Sequence, residues 1–135
     1  MSGRFFLHFQ EMPKGTAQQK GVRVIKGKPT FYRKNKIETS RFQFALALRP
    51  HAPKAPTNKN VRLELRFYYN VKDKALWGKP KPTRPDCDNL AKEFIDAMKD
   101  AGFFTDDSRV SDLHITKSYS ERATIVVSWS EVDDA

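Results

Sequence analysis

Four aspartates flank one short segment of a basic chain. The stretch RPDCDNLAK at 84–92 carries Asp86 and Asp88, and GFFTDDSRV at 102–110 carries Asp106 and Asp107, in a protein of formal net charge +9. Acids that close together are either neutralised by neighbouring lysines and arginines or held together around a cation. In extended backbone, residues two apart point the same way, so Asp86 and Asp88 can present two carboxylates to one ion. Hard carboxylate oxygens suit Mg²⁺, which keeps several waters and often binds beside a phosphate. Lys92 follows Asp88 by four residues, on the same helical face. It is either an exposed ion pair worth under ~1 kcal/mol or a cation beside a metal-bound phosphate, where charge develops during hydrolysis.

The simpler alternative for each acid pair is structural. An aspartate at a helix entry caps free N–H groups, and Asp-Asp before a strand is ordinary turn chemistry. Other metals fit poorly. A calcium loop of the EF-hand type would need an oxygen ligand at Leu90 and glycine at Ala91. The histidines, His8, His51 and His114, are scattered without zinc-ligand spacing.

These residues need elements to position them. DNLAKEFIDAMKDAG reads as a helix with Asp88 as N-cap, an apolar stripe of Leu90, Phe94, Ala97, Met98 and Ala101, and Gly102 as its stop. A helix of about 15 residues spans roughly 22 Å. Asp106 and Asp107 lie past its far end. They meet the first pair only if the strand beginning near Arg109 brings them in, or if they come from a partner chain.

VRLELRFYY at 61–69 alternates, with Val61, Leu63, Leu65, Phe67 and Tyr69 on one side. RFFLHFQ at 4–10 reads as a first strand, and GVRVIKGKPTFY as a hairpin turning at Lys26–Pro29. KIETSRFQFALALRP fits a strand or a helix. Its Ala and Leu content favours a helix ended by Pro50, with Ile37, Arg41, Phe42, Ala45 and Leu46 as its stripe. The proline-rich stretch from Asn70 to Pro85 reads as an irregular loop. RVSDLHITK and RATIVVSW read as two final strands joined by a hairpin turn at Tyr119–Glu121. The order implies an α/β fold: one small domain over residues 1–135, with a mixed β-sheet packed by two helices.

Composition bounds the rest. At 135 residues, 39% of them hydrophobic, the chain can bury a real core. No apolar run approaches the ~20 residues of a membrane span, and the four-residue apolar patch at the N-terminus is too short for a signal peptide. One cysteine, Cys87, excludes an internal disulfide and a cysteine-based zinc cluster, and suits a reducing cytoplasm. Placed between Asp86 and Asp88, it would point away from them and pack. Residues 1–85 hold 20 Lys and Arg against 4 Asp and Glu, whereas residues 86–135 hold 5 against 12. A basic body with an acidic patch suits a polyanion-binding protein that needs carboxylates at one point. Candidate phosphate contacts are Lys72, Lys74, Lys79, Lys81 and Arg84 beside the acids, Lys26, Lys28, Arg33 and Lys34 on the hairpin, and Lys117.

The stretch RPDCDNLAKEFIDAMKDAGFFTDDSRVSDLHITK resembles the RusA family of Holliday-junction resolvases, often phage-derived. The matching features are D-x-D-N-L-x-K, the helix F-x-D-A, A-G-F before the turn, D-D before a small residue, and V-x-D leading into a strand that ends in lysine. The resemblance implies a RusA-like fold, a homodimer, and Mg²⁺-dependent paired nicking of four-way DNA junctions in recombination and repair. By position it implies Asp86, Asp88 and Asp107 as magnesium ligands and Lys92 as a catalytic lysine, with Asp106 ranking below Asp107. The insert around Ala75-Leu76-Trp77 departs from the family. The competing expectations are a DNA-binding module without catalysis and a nuclease for other branched DNA.

Overall fold

The computed structural model describes residues 1–14, 23–25, 28–30 and 34–133. Among these described residues are six strands and two α-helices: β1 (Ser2–Phe9), β2 (Arg23–Ile25), β3 (Lys28–Thr30), α1 (Lys34–Leu48), β4 (Asn60–Asn70), α2 (Cys87–Ala101), β5 (Val110–Ser120) and β6 (Ala123–Val132). β2 and β3 form the expected antiparallel pair. Lys26, Gly27, Phe31, Tyr32 and Arg33 lie outside the described residues.

The main sheet has the order β1-β6-β4-β5, with β4 parallel to β5 and the other pairs antiparallel. Parallel neighbours need a crossover, and α2 supplies it. The helix therefore starts after the C-terminal end of β4 and returns to the N-terminal end of β5. Both helices lie on one face of the sheet. There Phe94 of α2 is fully buried and meets Phe44 of α1 edge-on at 5.2 Å and Phe67 of β4 at 5.5 Å. Val61, Leu63, Leu65 and Phe67 are buried as the alternation of β4 requires.

Three expectations are corrected. β5 and β6 are consecutive and antiparallel in sense but form no hairpin, because β4 lies between them. Burial gives the reason. Ile125, Val126, Val127 and Trp129 of β6 are all buried, which demands an inner position, whereas β5 carries exposed Ser111, Asp112, His114 and Thr116 and tolerates the edge. The buried stripe of α1 is Phe44, Ala45 and Leu48, so Phe42 and Leu46 stay 54% and 45% exposed. Arg41, expected in the stripe, instead clamps Asp100 of α2 through two hydrogen bonds of 2.6 and 2.9 Å.

The third correction concerns residues 71–85, which are ordered. Lys74–Leu76 make a 3-10 turn capped by Asp73, whose Oδ1 accepts from the Ala75 N–H at 3.0 Å. Pro80 then pairs with Ser118 on the free edge of β5. Prolines prevent a full strand here, but the open N–H and C=O groups of the β5 edge still recruit the loop.

Candidate active site

α2 carries the expected acids at or beyond its ends, and the two ends are built differently. At its start, Asp86 is the N-cap residue with extended backbone, and its carbonyl accepts from the Leu90 N–H at 3.0 Å. Its carboxylate makes no capping hydrogen bond. Asp88, expected as the cap, instead lies within the first turn, where its charge faces the positive end of the helix dipole. The helix starts earlier because Asp86 already has the cap's backbone geometry. Asp86, Asp88 and Lys92 are exposed, and none of their side chains makes a hydrogen bond or ion pair with another described residue.

At its far end, Gly102 adopts φ 95°, the left-handed conformation that terminates a helix. The chain then folds back: Thr57 N–H donates to Phe103 O at 3.1 Å and Thr105 N–H to Thr57 O at 2.9 Å. This fixes the connector that holds Asp106 and Asp107. The Asp106 carboxylate accepts from the Ser108 hydroxyl and N–H, capping a 3-10 turn, and pairs with Lys99 at 3.4 Å. Hydrogen bonds from Ser108 hold its pKa down to about 2, with Lys99 assisting. Asp107 is exposed, and its carboxylate makes no hydrogen bond or ion pair among the described residues. The two neighbours differ accordingly: Asp106 serves the turn and Asp107 is uncommitted.

The Asp107 charge is near enough to Asp96, in the middle of α2, for the two to interact. It and Asp100 oppose ionisation of half-buried Asp96, whose pKa is raised chiefly by burial and lowered by Arg41 and Lys92. Asp88, Lys92 and Asp96 follow at four-residue intervals on one helical face. Asp96 was missed by the sequence reading, although its i+4 spacing from Lys92 was the available signal. Eight residues of helix separate Asp88 from Asp96, about 12 Å. Among the described residues, no three His, Cys, Asp or Glu side chains are gathered to hold a metal ion. The donors at Asp86 and Asp88 fit Mg²⁺ by chemistry: two hard, uncommitted, solvent-exposed carboxylates.

Of the expected DNA contacts, Lys72, Lys74, Lys79 and Arg84 are exposed on the loop that leads into α2. Lys81 and Lys117 are half-buried and engaged inside the protein. The Lys81 ammonium bonds Thr83 Oγ1 and lies 5.2 and 5.7 Å from the Tyr69 and Tyr119 rings. The Lys117 ammonium donates to backbone carbonyls of the same loop. Lys26 and Arg33 lie outside the described residues, as do the side chains of Lys28 and Lys34. Cys87 opens α2 half-buried. The histidines stand apart: His51 stacks on Phe5 at 4.2 Å, His8 meets Thr124 Oγ1 at 3.2 Å, and His114 is exposed on β5. No helix among the described residues is long and apolar enough to cross a membrane.

A mixed sheet with a crossover helix bearing unbonded carboxylates and a lysine, beside a basic loop, suits phosphodiester chemistry. A family model described as endodeoxyribonuclease RusA matches residues 11–128. The crossover junction endodeoxyribonuclease RusA of Lactococcus phage r1t is 35% identical over 134 residues, covering 98% of this chain and 100% of that protein. The protein of that name in Escherichia coli strain K12 is 37% identical over 59 residues, 44% of this chain and 49% of the relative. The uncharacterized protein YqaN of Bacillus subtilis strain 168 is 32% identical over 99 residues, 65% and 69% of the two chains. The chain belongs to the RusA family and is, with it, an endodeoxyribonuclease.

Proposed function

We propose that the protein resolves four-way DNA junctions by paired, symmetric nicks, acting as a Mg²⁺-dependent homodimer. The observation that carries this reading is the uncommitted state of Asp86, Asp88, Lys92 and Asp107, set against the engagement of neighbouring Asp106 and Asp100 within the protein. Exposed like charges left without protein partners at a helix start suit an external cation. The full-length similarity to the phage crossover junction endodeoxyribonuclease supports the choice of junction.

Asp86, Asp88 and Asp107 are the proposed magnesium ligands. A bound divalent ion supplies Lewis acidity toward the scissile phosphate and makes water a stronger nucleophile. Lys92, one turn beyond Asp88, offsets negative charge developing on the phosphate oxygens. Lys72, Lys74, Lys79 and Arg84 hold the DNA backbone in place through phosphate contacts.

Within one chain, Asp107 lies at the start of β5 and Asp86 and Asp88 lie past the end of β4, at opposite ends of α2, and among the described residues no three such acids are gathered around one ion. The third ligand at the Asp86–Asp88 site therefore comes from Asp107 of the partner subunit. Two-fold symmetry then gives two equivalent centres, matched to the near two-fold symmetry of the junction.

Incubation with a synthetic four-way junction and Mg²⁺ tests the reading. Two symmetric nicks are expected, abolished by chelator and by Asp88→Asn. Chelator-insensitive binding with no nicks would identify a DNA-binding module, and equal rates on forks and flaps would identify a less selective nuclease.

A further inference from the structure

Residues 78–85 reach α2 along the free edge of β5. Gly78 N–H donates to Tyr119 O at 2.9 Å, Tyr119 N–H to Lys79 O at 3.0 Å, and Lys81 N–H to Lys117 O at 3.1 Å. This ladder stops at Lys81, because two of the next four residues, Pro82 and Pro85, have no N–H to continue it. Something else must hold Pro82–Pro85, the last segment before Asp86.

The Lys117 side chain does so. Its Nζ donates to Thr83 O at 2.7 Å and to Pro85 O at 2.6 Å. These are short, charge-assisted bonds, stronger than neutral ones. Two of the three ammonium donors are thereby used on backbone one and three residues upstream of the first proposed ligand. Lys117 makes no ion pair with a described acid, and it is only half exposed. Lys81 supports the same segment through Thr83 Oγ1.

The acids need this support. The Asp86 carboxylate has no hydrogen bond of its own to fix its direction. Its orientation is therefore inherited from the backbone at 83–85 and from the start of α2. A group that locks that backbone acts on the ion without touching it, as outer partners of metal ligands commonly do.

We propose that Lys117 is a positioning residue of the nuclease centre: its ammonium clamps the Thr83 and Pro85 carbonyls and so presents Asp86 and Asp88 to the ion, instead of gripping DNA phosphate. The inference rests on the reading of Asp86 and Asp88 as ligands.

The experiment compares wild type, Lys117→Met, Lys117→Arg and Asp88→Asn as full chains. Mg²⁺ affinity is read without DNA by calorimetric titration. Cleavage is read across a Mg²⁺ series, and junction binding in chelator across a salt series. Melting curves establish that each variant is folded. For Lys117→Met the expected result is about a tenfold weaker Mg²⁺ affinity and a matching rise in the Mg²⁺ needed for half-maximal cleavage. Junction affinity and its salt slope stay within about twofold of wild type, and Lys117→Arg, which keeps charged donors, recovers most of the loss.

A salt slope reduced by about one with unchanged Mg²⁺ dependence identifies a phosphate contact and overturns the clamp. So does a folded Lys117→Met with wild-type Mg²⁺ affinity, or a loss of Mg²⁺ affinity that Lys117→Arg fails to recover. If Lys117→Met does not fold, Lys117→Gln, which keeps an uncharged N–H donor group, is tested by the same criteria. Failure of the underlying reading shows separately, as wild type that neither binds Mg²⁺ nor cleaves, or as Asp88→Asn that does both normally.

Discussion

The two ends of α2 carry the same residue type and use it in opposite ways. At the start, Asp86 and Asp88 leave their carboxylates without hydrogen bonds or ion pairs, and position comes from the backbone held behind them. Past the far end, Asp106 is bound by Ser108 and Lys99 and serves the turn, while only Asp107 stays uncommitted. An acidic residue beside a helix end is thus not one kind of object. Whether its oxygens already have partners decides whether it is available for chemistry.

The sharpest way to break this contrast is to remove an uncommitted acid from each end. Asp88→Asn and Asp107→Asn should each lower junction cleavage by on the order of 10³-fold while leaving junction binding in chelator intact. Mixing the two inactive variants should restore cleavage at one centre per mixed dimer, because one site then holds wild-type Asp88 and wild-type Asp107 of the partner subunit. Single nicks in a junction assay of the mixture check this, and a mixture as inactive as its components would place each centre within one chain.

Phe94 ties the middle of the helix to both α1 and β4. Phe94→Ala should cost about 3–5 kcal/mol in denaturant melts. Asp106→Asn should keep cleavage within about tenfold of wild type, since that carboxylate serves the turn. It should also lose an acid-range contribution to stability. The folded pKa of Asp106, about 2, lies below the ordinary aspartate value. Its stabilisation is therefore present above the ordinary aspartate range and disappears as pH falls through about 2.

The smallest effect is expected at Glu93, buried on α2 and bonded to Ser40. Burial raises its pKa, with Ser40 and Arg41 opposing. The folded state thus holds this proton more tightly than the unfolded chain. The contribution of Glu93 to stability falls as pH rises from the ordinary glutamate value through the raised one. Glu93→Gln should flatten that slope in melts run between pH 4 and 8, with cleavage little changed.

Much of this was legible along the chain. Local pattern placed β4, α2 and its Gly102 stop, because alternation, an apolar stripe and a left-handed terminator are properties of neighbouring residues. It also singled out the acids and Lys92, whose spacing is local. The free edge of β5 was not legible, since strand order depends on which strand must bury both faces. For the same reason the loop at 71–85 read as irregular, and Lys117 read as a surface charge for DNA.

The sequence by itself determined the helix, its acids and the basic body around them, because each follows from residue type and short-range spacing. Only the tertiary structure decided which carboxylates are already bonded, that Asp107 stands at the opposite end of α2 from Asp86, and that a lysine 31 positions beyond Asp86 holds the backbone in front of it. Those outcomes depend on a parallel pairing closed by a crossover helix. Such long-range contacts bring together groups that no local pattern links.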